Sequence, residues 1–133
     1  MGTTFSTIQI QNPNKAPQQQ FKELLCKFFE AKGLVPATEE DAQFTYWLAF
    51  NEDNGWVTLG SGGYDLGEVH SDVPEIAKDL NTRCVLTSVW DSDFLEVKLF
   101  GSSPEQNDMI VAGQPYDADM VSEGNPELWK PLL

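Results

Sequence analysis

Basic residues are scarce in this chain: Lys and Arg together number 8 against 21 Asp and Glu, for a net charge of −13 over 133 residues. Binding a phosphate backbone or an anionic lipid surface needs a basic patch, so neither nucleic acid nor membrane is an expected partner. Histidine occurs once, at His70, and cysteine twice, at Cys26 and Cys84. One His and two scattered Cys do not make a zinc site, and His70 beside Ser71 and Asp72 is no triad, because a triad converges in space rather than in sequence. Long apolar runs are missing too. No stretch approaches the ~18 apolar residues of a membrane-spanning helix. The first residues, MGTTFSTIQIQNPNK, carry neither a basic region nor an apolar core of the secretory kind. A cytoplasmic location is the expectation, with both thiols reduced and buried as small hydrophobes.

What is present suits one folded domain over residues 1–133. Apolar residues make up 41 %, and 8 Phe, 4 Trp and 3 Tyr supply bulky core material. Residues 3–11 alternate as a strand, with Thr4, Ser6, Ile8 and Ile10 on one face. A helix is expected over 17–32. Pro17 suits its first position and Gly33 the position past its end, while Phe21, Leu24, Leu25 and Phe28 form an apolar face that Cys26 and Phe29 widen. Residues 43–51 and 56–60 read as a hairpin around EDNG. A second helix is expected over 72–81, with Asp72 and Glu75 as a capping box and Val73, Ile76, Ala77 and Leu80 facing inward. Residues 84–90 and 94–100 read as two more strands, and 109–112 as a short further one. Asn125 and Pro126 then open a last helix.

The fold class expected from this order is α+β. It consists of a mixed or antiparallel sheet of about five strands with two main helices on one face, plus a C-terminal helix. The β-α-β-β-α-β order is that of ferredoxin-like folds. Leu128, Trp129, Leu132 and Leu133 leave an apolar helix face at the chain end. Either the chain is the N-terminal part of a longer protein, or this tail docks back on the sheet.

Charge is polarised along the chain. Residues 1–38 hold four Lys and two Glu, whereas residues 39–133 hold four basic and nineteen acidic residues. Such a surface attracts a basic protein and steers its approach. Acidic solubility alone also accounts for the composition.

Few segments offer chemistry. Asp91–Ser92–Asp93 fits a hairpin turn, and its two carboxylates also fit a hard cation such as Mg²⁺ or Ca²⁺, although nothing nearby completes an EF-hand. Gly60–Ser61–Gly62–Gly63 sits where phosphate loops sit but lacks their Lys-Ser/Thr. Trp47 and Trp56, on the two strands of the hairpin, suit cross-strand packing or an interface anchor. Glu39–Glu40–Asp41 and Asp117–Ala118–Asp119 suit solvated loops or direct pairing with a partner's Lys and Arg. No cofactor and no catalytic residue is expected.

The run Gly55–Trp56–Val57–Thr58–Leu59, a short helix, Val89–Trp90–Asp91–Ser92–Asp93–Phe94–Leu95 and then Trp129 resembles a group of uncharacterised small bacterial proteins over roughly residues 43–133. The resemblance brings no catalytic residue with it. In its small, acidic, α+β character the chain is also similar to immunity proteins of bacterial toxin systems. That similarity implies an inhibitor of a basic toxin. Glu39, Glu40, Asp41, Asp91 and Asp93 would supply charge, and Trp56 or Trp90 the anchor. The alternatives are a metal-binding or metal-dependent enzyme built on Asp91 and Asp93, and a structural domain of a larger protein.

Overall fold

The computed structural model describes residues 5–12, 15–31, 33–38, 40–41, 46–51, 55–61, 72–115 and 118–132. Six strands form one antiparallel sheet: β1 (Phe5–Gln11), β2 (Tyr46–Asn51), β3 (Trp56–Ser61), β4 (Cys84–Trp90), β5 (Phe94–Phe100) and β6 (Asp108–Gly113). Helix α1 (Gln18–Ala31) joins β1 to β2, and α2 (Val73–Asp79) joins β3 to β4. A four-residue helix α3 (Pro126–Trp129) follows β6 and runs into a 3-10 turn at Lys130–Leu132. Across the sheet the order is β2-β3-β1-β4-β5-β6. Since β1 is antiparallel to both β3 and β4, those two strands run parallel with β1 between them. The α2 connection therefore steps over β1, and the α1 connection steps over β3.

Strand periodicity decides which residues the helices cover. Ile8 and Ile10 on β1 are flanked by Leu59 and Val57 on β3 and by Leu86 and Cys84 on β4, and all six are buried. Phe21 and Leu25 of α1 and Val73, Ile76 and Ala77 of α2 close over them in one cluster. Each buried Val, Leu, Ile or Phe among them contributes roughly 1.5–3 kcal/mol by leaving water. The α1 periodicity places Phe21 edge-on to Phe50, with ring centroids 5.5 Å apart, and Phe29 against Tyr46 at 4.8 Å. Gly33 ends α1 at φ 82°, where the amides of Gly33 and Leu34 return to the carbonyls of Glu30 and Phe29. That left-handed residue is why a glycine stands there.

Four expectations change. The sheet has six strands rather than about five, because the short apolar run at 109–112 recruits Asp108 and Gly113 and pairs with β5 from Phe94↔Gly113 to Leu99↔Asp108. Cys26 is exposed and only Cys84 is buried, both as free thiols. One residue on from buried Leu25, Cys26 is turned about 100° around the helix, away from the core. Asp72 makes no capping hydrogen bond, because its backbone is already helical (φ −92°, ψ −4°) where a cap needs extended geometry. Trp47 and Trp56 are not paired across the hairpin: Trp47 opposes Gly60 and Trp56 opposes Asn51.

The second face of the sheet is partly covered by the C-terminal segment. Ser122 pairs with the outer edge of β6 through two backbone hydrogen bonds to Val111. Asn125 caps α3 by accepting from the Glu127 amide. The Trp129 indole N–H then donates to Asp108 at 2.7 Å, and the Gln11 side chain reaches the Pro131 carbonyl at 3.4 Å. Leu99, placed on this face between Val85 and Asp108 by register, is fully buried. The tail thus lies against the Gln11 and Asp108 ends of β1 and β6. No helix among the described residues is long and apolar enough to cross a membrane.

Candidate interaction surface

The expected site residues fall in separate places. Asp91 and Asp93 are exposed in the β4–β5 hairpin, whose turn is closed by the Asp93 amide donating to the Trp90 carbonyl at 2.9 Å. Asp91 (φ 52°) and Ser92 (φ 58°) are both left-handed, the conformation that hairpin turns of this type require. Geometry therefore accounts for an Asp in the first position. Among the described residues no group of three or more His, Cys, Asp or Glu side chains is placed to hold a metal ion.

Trp90 is half-buried on the helix-covered face. Its ring stacks on Phe94 with centroids 6.4 Å apart, and its indole nitrogen is buried without a hydrogen-bond partner. Trp56 is half-buried at the opposite end of the sheet, beside Gln11 and Asn51. Neither is the most exposed tryptophan of the sheet. That residue is Trp47, 47 % exposed, whose ring lies over Gly60, where a side chain would displace it. The parity of β2 held the signal: Tyr46, Leu48 and Phe50 face inward, so Trp47 must face out.

Glu40 and Asp41 are exposed on the α1–β2 connection, where the Thr38 hydroxyl donates to the Asp41 carboxylate at 3.0 Å. Glu39 lies outside the described residues, as do His70, Asp117 and residues 62–71 of the glycine-rich connection. Asp41 also borders a pocket of about 470 Å³ between the end of α1 and residues 33–37, walled by Cys26, Phe29, Leu34 and Tyr46. No pattern in the sequence marks this pocket, because its wall forms only when residues 34–37 fold back along α1.

Charge is unevenly neutralised. Lys98 lies 3.2 Å from Glu96 and Lys130 lies 2.7 Å from Glu127. Both bases sit in the acidic part of the chain, and both are matched by neighbouring carboxylates. A polar pair is buried inside: the hydroxyls of Ser6 and Ser88 meet at 2.8 Å between β1 and β4. At the far edge Asp108 gathers the Asn125 amide at 2.6 Å and the Trp129 indole. The Asn125 amide foremost, helped by the Trp129 and Met109 N–H groups against the opposing effect of burial, holds the Asp108 carboxyl below its usual range. Burial pushes the Cys84 thiol up to about 12.

No family model matches the chain, and neither a curated protein nor a solved structure matches it.

Proposed function

We propose that this chain is an acidic protein-binding domain of bacterial origin, an immunity-type inhibitor whose partner is a toxin or similar protein with a basic surface. The observation that carries the reading is the charge of the exposed surface beyond residue 39. Glu40, Asp41, Glu75, Asp91, Asp93 and Glu105 are all exposed there, against four bases, of which Lys98 and Lys130 are matched by Glu96 and Glu127 and Lys78 is exposed. A field of one sign steers an oppositely charged protein and disfavours anionic ones. Cytoplasmic residence fits this reading. The four-stranded part β2-β3-β1-β4, with its two interleaved crossovers, supports a ferredoxin-like scaffold extended by β5 and β6.

Affinity capture from the source cell, followed by titration of the purified partner at rising salt, tests the reading. A basic partner whose affinity falls steeply with ionic strength is expected. Only neutral or acidic partners with salt-independent binding would overturn it.

A further inference from the structure

Register across the sheet lines up Phe5, Val89, Leu95 and Ala112 as one row spanning β1, β4, β5 and β6. The row lies on the face opposite the two helices, since its residues alternate with the buried Ser6, Ser88 and Val111. It is also at the end away from Gln11 and Asp108, where the C-terminal segment docks. Phe5 is 43 % and Leu95 36 % exposed, and Ala112 is exposed. The next row adds Thr7, Thr87, Val97 and Ile110, and the exposed Trp47 flanks the surface on β2.

The charged side chains that the strands and the β4–β5 tip bring to this surface are all acidic. No strand residue facing this side of the sheet is Lys or Arg, and the one charged residue among them is Asp108. Asp91 and Asp93 stand on the hairpin that joins Val89 to Leu95, so two exposed carboxylates cap the end of the apolar row. A second copy of the chain would bring a net charge of −13 against another −13, which opposes self-association.

We infer that the Phe5–Val89–Leu95–Ala112 row is a docking surface for a protein segment that presents apolar side chains flanked by lysine or arginine. This rests on the reading of the chain as an acidic protein-binding domain and assigns that reading a place. The apolar row supplies area to be removed from water, and the Asp91/Asp93 tip orients the basic flank. Trp47 supplies an aromatic rim that reports on binding through its fluorescence.

The test is titration of the isotope-labelled chain with three synthetic peptides: an amphipathic Leu/Lys peptide, its Leu/Glu counterpart and an uncharged Leu/Ser one. The Leu/Lys peptide is expected to bind and to shift the amides of Thr7, Val89, Leu95, Val97 and Ile110. Leu95→Gln should weaken it about tenfold. The double variant Asp91→Asn, Asp93→Asn should weaken it about two- to fivefold at low salt and hardly at all at high salt. Ala112→Arg, at an exposed position of β6, provides a second block that does not depend on Leu95→Gln folding. Shifts confined to Glu40 and Asp41, with Leu95→Gln and Ala112→Arg inert, would overturn the docking surface and leave the acidic reading standing. No Leu/Lys binding anywhere would overturn both. Equal binding of the Leu/Ser peptide would overturn the basic flank, and a wild-type dimer dissociated by Ala112→Arg would make the occupant a second copy.

Discussion

Replacing Asp108 by Ala should release the C-terminal segment from the sheet. The Asp108 carboxylate holds that segment at two points, the Asn125 amide and the Trp129 indole, at 2.6 and 2.7 Å. Hydrogen bonds to a charged group contribute about 1.5–3 kcal/mol each, and the lower end applies to a half-buried carboxylate that water also reaches. With both donors on one oxygen, about 2 kcal/mol in total is the reasonable figure, or about 7 °C in Tm for a domain of this size. Trp129→Phe removes one donor while keeping an aromatic, though smaller, side chain, so about half of that loss is expected. The same carboxylate sets a pH dependence. Its folded pKa lies below the ordinary 3.8, so the clamp's stabilisation is complete above that value and is lost as pH falls through the folded pKa. Asp108→Ala should lack this acid-side component. Urea unfolding at pH 7 and pH 3, with amide exchange at Val111 and Ser122, measures both effects. An Asp108→Ala midpoint within about 0.5 kcal/mol of wild type, with Ser122 still protected, would refute the clamp.

Three further expectations follow from single contacts. Ser92→Gly should stabilise the protein by about 0.5–1 kcal/mol in urea unfolding, because Ser92 sits at φ 58° and Asp-Gly is a favoured pair for such a turn; a loss of stability would show that Ser92 makes a contact that matters more than its backbone. Ser6→Ala and Ser88→Ala should each cost about 1–2 kcal/mol by stranding a buried hydroxyl, and the double variant should cost less than the sum; strict additivity in denaturant melts would count against the pair. A thiol reagent should label Cys26 in the native protein and Cys84 only after unfolding, and because burial raises the Cys84 pKa to about 12, its contribution to stability should fall as pH rises from about 9 toward 12. Rapid native labelling of both thiols would contradict the buried position of Cys84.

Local patterns in the sequence already mark most of the helices and strands. Ile8 and Ile10 alternate, Phe21, Leu25 and Phe28 recur at helical spacing, and Gly33 stands where a left-handed residue must close α1. These signals are local, and local sterics and periodicity suffice to read them. The net charge and its division near residue 39 are likewise fixed by composition alone. Other features arise only from contacts between distant segments. Pairing with β5 turns residues 109–112 into a full sixth strand, and Asp108 then becomes the anchor for Trp129, 21 residues later. Register decides that Phe5, Val89, Leu95 and Ala112 form one row although they come from four strands. The parity of β2 turns Trp47 outward, but only packing leaves it, rather than Trp56 or Trp90, as the exposed indole on the sheet. Which apolar side chains a sheet leaves in water depends on what packs against each face, and that is settled by contacts between residues far apart in the chain.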